Sequence, residues 1–407
     1  LDWIEHVLPK MLRITKQASI LSNQYTIVTT NPPYMGKLEG NLKKFVTSNY
    51  KDFSTDVFAV FMRRNFDFTI QGGYMGFMTP FVWMFIKSYE KLRNYIINNK
   101  SIATLVQMEY SAYEEATVPI CSFVLKNEHN ELPGYYYRLS DFKGGMEVQK
   151  QKVLEANQNK GCGYYYETVT TNFSKIPGSP IAYWVSENFI HNYEIGTLMD
   201  DVAKPRQGMA TCDNNRFLRL WYEVDNHKLN FHCQSIEECK ELSEKWFPYN
   251  KGGDFRKWYG NNDNVINWEN DGEEVKAYAV ELYNSVTRTI KNMPFYFKEG
   301  ITYTFISSSK FGVRYSPAGF IFDVAGSTVF VDKTKQNYIL ALMVSIITKS
   351  YLDALNPTLN FQVGDIKNVP VVFLEEKVIF INNLVDKNIL IAKDDWDSFE
   401  TSWDFKI

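Results

Sequence analysis

The chain has 407 residues, is 45% hydrophobic and carries a formal net charge of -3. That is enough apolar material for two cored domains, and the slight acidity excludes a non-specific polycation while leaving room for a locally basic face. Five cysteines in no regular spacing are expected of a reducing cytoplasm, no signal peptide is read in this sequence, and the longest apolar stretch, residues 338–348, is well short of the roughly 20 residues a membrane helix needs.

In chain order, Trp3, Val7, Leu8, Met11 and Ile14 fall at helical spacing. The run from Tyr25 to Thr30 then reads as a buried strand, and Asn31-Pro32-Pro33-Tyr34 follows it directly. Two prolines stop ladder pairing, because neither has an N–H to donate. The side-chain oxygen of Asn31 and the carbonyl of Pro32 can then point at one spot beyond the strand end. Two acceptors there suit an exocyclic amine with two hydrogens, and Tyr34 offers a flat face for a ring. An adenine flipped out of a duplex needs such a holder. Asn-Pro and Pro-Pro pairs also punctuate ordinary surface turns. A position at the carboxyl end of a strand, where open α/β sheets bind ligands, favours the functional reading.

Next come Asp56 and a helix with Val57, Phe58, Val60, Phe61 and Phe66 on its apolar positions. Gly72-Gly73-Tyr74-Met75-Gly76-Phe77-Met78-Thr79-Pro80 reads as a glycine turn, a strand and a break at proline. A helix over residues 86–97, a strand over 101–109, a bend containing Tyr113 and a strand ending near Leu125 complete this part. The order Asn-Pro-Pro-Tyr, Asp56-Val-Phe-Ala-Val-Phe, Gly-Gly-Tyr-Met-Gly-Phe-Met-Thr-Pro-Phe-Val-Trp, then Tyr113 before a strand, resembles the catalytic half of gamma-type N6-adenine DNA methyltransferases. The likeness is greatest to the large methyltransferases of type IIG restriction systems and of BREX phage defence (PglX-like). It implies that Asn31, Pro32, Pro33 and Tyr34 form the catalytic turn, and that Tyr113 stacks on the other face of the flipped base. It also implies S-adenosylmethionine as cofactor, double-stranded DNA as partner and other defence-system proteins as possible company, with no membrane.

The family's sheet opens with a strand and a glycine-rich loop that bind this cofactor, and the first thirty residues here contain no glycine. Gly72 and Gly73 precede a strand instead of following one, the wrong context for such a loop. The chain therefore reads as a fragment of a longer protein, expected by itself to bind the cofactor weakly or not at all and to be inactive.

The expected fold class is α/β: the C-terminal half of a Rossmann-like class I methyltransferase sheet, residues 1–150, followed by an α+β target-recognition domain, residues 151–407, with a helical C-terminal part. Residues 150–179, rich in Gln, Asn, Lys and Gly, read as the connection. Beyond it, helices are expected over 186–200, 271–291, 333–355 and 376–399. Aromatic alternation, as in Tyr135-Tyr136-Tyr137, marks most Tyr and Phe residues as strand core.

Three segments of this second part carry base- and phosphate-competent groups. The turn over 204–217 offers Lys204, Arg206, Gln207, Thr211, Asn214, Asn215 and Arg216. Arg can read guanine and Asn or Gln adenine, while Lys and Thr suit phosphate. It is similar to the turn that opens the recognition domain of type IIG enzymes; a polar turn is the bland alternative. A second loop holds Lys251, Arg256 and Lys257, and a third holds Lys310 and Arg314. A hairpin anchored by Trp258 and a solvated loop explain these two as readily. His227, His232, Cys233 and Cys239 match no standard zinc spacing, so no metal site is assigned. The competing functions are a sequence-specific DNA-binding or scaffold component of a defence complex, or an amino-methyltransferase acting on protein glutamine, on RNA or on cytosine N4.

Overall fold

A computed structural model describes residues 3–110, 118–306, 310–357 and 360–405. The chain divides into two compact units, Leu1–Ile190 and His191–Ile407. The first runs α1 (Leu8–Ser22), β1 (Tyr25–Thr30), α2 (Gly40–Asn49), α3 (Val57–Phe68), β2 (Thr69–Pro80), α4 (Glu90–Asn99), β3 (Ser101–Gln107), β4 (Ile120–Lys126), β5 (Pro133–Arg138), α5 (Gly145–Gln158) and β6 (Tyr165–Val169). Its strands make one mixed sheet in the order β1-β2-β4-β3-β5-β6. β1 is parallel to β2, and β4 is antiparallel to both β2 and β3. The carboxyl ends of β1, β2 and β3 therefore share one end of the sheet.

α3 starts where Asp56 caps it, the carboxylate accepting from the Phe58 N–H at 3.1 Å. Phe58, Ala59, Met62 and Phe66 share the face it buries. They join Met75 and Phe77 of β2 and Phe123 and Leu125 of β4, alternate residues that point to one side of the sheet. Gly73 lies inside β2, where the β1–β2 register shifts. A Cβ there would meet the Thr26 carbonyl oxygen at 2.7 Å, so this glycine lets two strands approach.

Two expectations for this unit need correction. β1 is not buried: Ile27 is 65% exposed, because β2 alone flanks the strand among the described residues and α1 buries none of its own. Residues 150–179 are not a linker either. β6 pairs with β5, and Phe173, Ile181 and Tyr183 enter the first core. The compact boundary thus falls inside α6 (Glu187–Ile195) and not at 150. A few aromatic and apolar side chains among polar neighbours suffice to dock a segment whose average composition looks like a loop.

The second unit continues with β7 (Thr197–Leu198), α7 (Met199–Val202), β8 (Lys204–Arg206), α8 (Asn214–Phe217), β9 (Leu218–Leu220), α9 (Ile236–Glu241), β10 (Trp246–Asn250), β11 (Asn264–Asn267) and α10 (Glu269–Tyr283). Then come β12 (Gly300–Tyr303), β13 (Val313–Ser316), β14 (Ile321–Phe322), β15 (Thr328–Phe330), α11 (Lys333–Val344), α12 (Ile346–Leu355), α13 (Val363–Lys367), β16 (Pro370–Val371) and α14 (Val378–Asp397). Two four-stranded sheets, β14-β10-β11-β9 and β13-β12-β15-β8, accompany the pair β16-β7. Phe217, Phe247, Tyr249, Trp268, Phe297 and Phe322 lie in the core, with Cys233 and Cys239.

The helix expected over 333–355 is two helices. Ser345 leaves the helical region at ψ 158°, and its hydroxyl donates to the Leu342 carbonyl at 2.6 Å, a local bond that competes with helix continuation. α10 stops at Tyr283, short of the expected end at 291, where Asn284 takes the left-handed conformation at φ 52°. Among the described residues no single helix is long and apolar enough to cross a membrane.

Candidate functional site

The four residues Asn31 to Tyr34 leave the sheet at the carboxyl end of β1, beside β2, where Thr30 pairs with Phe77. Pro32 is buried, while Asn31, Pro33 and Tyr34 are exposed. The proline ring anchors the turn, and the side chains on either side remain reachable. Tyr34 bends back over the turn, with its hydroxyl 3.0 Å from Asn31 Oδ1 and 3.3 Å from the Met78 carbonyl oxygen. One hydroxyl proton serves two acceptors, so neither bond is saturated. An amide oxygen has two lone pairs. Asn31 Oδ1 therefore keeps acceptor capacity for an incoming N–H after Tyr34 has used one.

The turn is fixed from below. Asp56 Oδ1 accepts from the Met35 N–H at 2.9 Å, and the Val57 N–H donates to the Met35 carbonyl at 3.2 Å. Tyr34 meets Phe58 at a right angle with centroids 6.4 Å apart, and Phe58 stacks on Tyr89 at 5.4 Å. Burial pushes the Tyr89 hydroxyl well above its ordinary pKa, and the Asp56 charge adds to that. The sequence marks Asp56 as the start of a helix and of a family-like motif, and gives no sign of this role. Tyr113 lies outside the described residues. Its described flanks, Tyr110 and Val118, follow β3 and precede β4, which brings them to the sheet end that carries Asn31.

In the second unit the turn over 204–217 and the loop that starts at Lys251 come together. Lys251 Nζ is 3.4 Å from Asn214 Oδ1 and 2.7 Å from Asp323 Oδ2. Tyr249 donates its hydroxyl to the same Asp323 oxygen at 2.7 Å, and burial together with that carboxylate raises its pKa. Lys204, Asn214, Asn215, Arg216, Lys257 and Lys310 are exposed; Arg206, Gln207, Lys251 and Arg256 are half-buried. Most of these cations already have a companion. Arg216 pairs with Glu274 at 2.8 Å and Arg256 with Asp395 at 2.9 Å. Arg206 stands over the Phe295 ring at 5.2 Å, and Lys310 over Phe255 at 5.4 Å. Lys257 donates to the Val344 carbonyl at 2.9 Å, and Gln207 Oε1 takes a long 3.4 Å contact from Lys291.

Two residues expected to face a ligand do not. Arg314 is 1% exposed and donates to Thr304 Oγ1 and the Gly252 carbonyl. Burial lowers its guanidinium to about 10, with Arg256 contributing. It props the 251–259 loop from inside, since Trp258 is strapped to β13 by bonds to Val313 and Tyr315. Thr211 is 4% exposed and donates to Asn214 Oδ1 at 2.6 Å. β13 is covered on both faces, with Val313, Arg314 and Ser316 all buried, and reading Lys310 and Arg314 as members of a solvated loop carries no signal of that burial. The acids Glu274, Asp323 and Asp395 had no sequence signal, being remote from the loops they serve.

A family model described as Eco57I restriction-modification methylase matches residues 3–113. The chain is 38% identical over 414 aligned residues to the adenine-specific methyltransferase PglX of Lacticaseibacillus casei (strain Zhang), covering 99% of this chain and 34% of the relative. It is 35% identical over 409 residues to the adenine-specific methyltransferase BrxX of Escherichia coli O9:H4 (strain HS), covering 97% of this chain and 31% of the relative. It thus spans about a third of the length of these curated relatives. Among solved structures, the type IIL restriction-modification enzyme MmeI in complex with DNA shares the fold at a TM-score of 0.58 and 13% identity, over 93% of this chain and 50% of that one.

Proposed function

We propose that this chain, a relative of the PglX and BrxX adenine-specific methyltransferases, is the acceptor-holding and DNA-reading part of a DNA adenine-N6 methyltransferase of restriction or phage defence. The observation that carries the reading is the Asn31–Tyr34 turn at the carboxyl end of β1, with its amide oxygen turned toward the Tyr34 hydroxyl. The first unit would be the catalytic half of a Rossmann-like domain, and the second a target-recognition domain.

The adenine amine is a poor nucleophile because its lone pair is delocalised into the ring. Accepting its two hydrogens at Asn31 Oδ1 and the Pro32 carbonyl would favour a pyramidal nitrogen whose lone pair is localised. Tyr34 would stack on the flipped ring, and Tyr113 would take its other face. Catalysis of this kind is positioning and electrostatics, with no covalent enzyme intermediate. Asn31 is no base, and the displaced proton leaves to water.

The methyl donor proposed for the whole protein is S-adenosylmethionine. The described residues do not fit its cradle: the paired glycines Gly72 and Gly73 lie inside β2, toward the end of the sheet away from the turn, and Gly73 serves strand approach. The chain's own part is to hold the acceptor.

In the full-length protein, Asn31→Ala is expected to lower kcat for adenine methylation by roughly 10²–10³, the scale of losing one preorganised polar group. Duplex affinity should stay near the parent value. Near-normal N6-methyladenine formation by that variant, measured by digestion and mass spectrometry, would remove the assignment. Adenine-specific relatives favour this substrate over glutamine, RNA or cytosine.

A further inference from the structure

Asp56 ties the acceptor turn to the helix behind it. Its Oδ1 accepts from Phe58 N–H, as any N-cap of α3 would, and also from Met35 N–H, which belongs to another segment. Met35 directly follows Tyr34, and Phe58 is the ring that Tyr34 leans on. One carboxylate oxygen thus sets both the backbone that carries Tyr34 and the support under its ring. Capping requires only the first bond. The second has no part in starting a helix.

We propose that Asp56 is a positioning residue for the acceptor turn, fixing Tyr34 and, through the Tyr34 hydroxyl, the orientation of the Asn31 amide. It does not touch the amine. The inference rests on the methyltransferase reading above. Its physical basis is that a displacement near 1 Å at a reacting group costs about a hundredfold in rate, while DNA affinity, spread over many contacts, is insensitive to it.

Three substitutions separate positioning from capping. Asp56→Asn keeps an acceptor oxygen at the same reach. Asp56→Ser keeps a helix cap, but its shorter side chain cannot span to Met35. Asp56→Ala removes both bonds. Each is made in the full-length protein and assayed with tritiated S-adenosylmethionine and unmethylated plasmid DNA for kcat, for duplex Kd and for thermal midpoint. Asp56→Asn should stay near the parent rate. Asp56→Ser should lose roughly ten- to a hundredfold in kcat with duplex Kd and midpoint close to those of Asp56→Asn. Asp56→Ala should lose rate and midpoint together. A parental kcat in Asp56→Ser would reduce Asp56 to a cap and overturn the inference, as would an Asp56→Asn variant as slow as Asp56→Ser. A parent that methylates no adenine overturns the methyltransferase reading itself and the inference with it; an active parent confines any failure to Asp56.

Discussion

The acceptor turn and the basic loops of the second unit are built on opposite plans. In the turn, short bonds fix consecutive residues: Tyr34 to Asn31 at 3.0 Å and Met35 to Asp56 at 2.9 Å. In the second unit, long cationic side chains rest on acids from remote segments: Arg216 on Glu274, Arg256 on Asp395 and Lys251 on Asp323. Holding one amine needs acceptors placed to within tenths of an ångström. Meeting phosphates or base edges needs charge that can swing. Exposed ion pairs are worth only about 0–1 kcal/mol, so on the DNA-reading proposal the exposed Arg216–Glu274 pair is one that a phosphate could displace, while half-buried Arg256 also rests on the Trp396 ring at 4.8 Å.

The largest effect in the second unit is expected at Arg314, which follows neither plan. Arg314→Ala should cost about 2–3 kcal/mol of stability, because it strips buried acceptors of their donor. Urea unfolding would read this as a lower midpoint at constant slope. An unchanged midpoint would mean that the guanidinium is dispensable to the 251–259 loop.

Tyr34 tests the turn at two levels. Tyr34→Ala should weaken capture of the flipped base by roughly 1–3 kcal/mol. Tyr34→Phe keeps the ring and drops only a hydroxyl shared between two acceptors, a loss of about 1 kcal/mol or less. Equal defects in the two variants, measured as KM for duplex and kcat, would shift the role of Tyr34 from stacking to its hydroxyl.

The loop cations should act on specificity and salt dependence. If Arg206 or Arg216 reads a base, its alanine variant should relax discrimination at one position by roughly 1–3 kcal/mol. If it holds phosphate, affinity should fall alike for all sequences and the salt slope should become shallower. Glu274→Gln releases Arg216 and should tighten duplex binding by less than about 1 kcal/mol at low salt. Titration of cognate and scrambled duplexes at several salt concentrations distinguishes these cases. Parental behaviour of all three variants would put the DNA-facing surface elsewhere.

Local chemistry decided what could be read directly. Asn31, two prolines and Tyr34 after a strand-forming run make a turn whatever surrounds them, because proline removes the donors a longer strand would need. The helix at 57–68 and the strands β1 to β4 likewise follow from periodicity within each segment, while the helix expected over 86–97 begins only at Glu90. Tertiary structure alone decided the rest. The exposure of β1, the docking of residues 165–183 on the first core, the break at Ser345, the burial of Arg314 and the acids that hold the loop cations all depend on the tertiary surroundings. Asp56 joins both kinds. Its place before an apolar run announces a helix cap, and only the folded chain brings Met35 within 2.9 Å of the same oxygen. A hydrogen bond between segments is a property of their packing, and no periodicity within either segment encodes it.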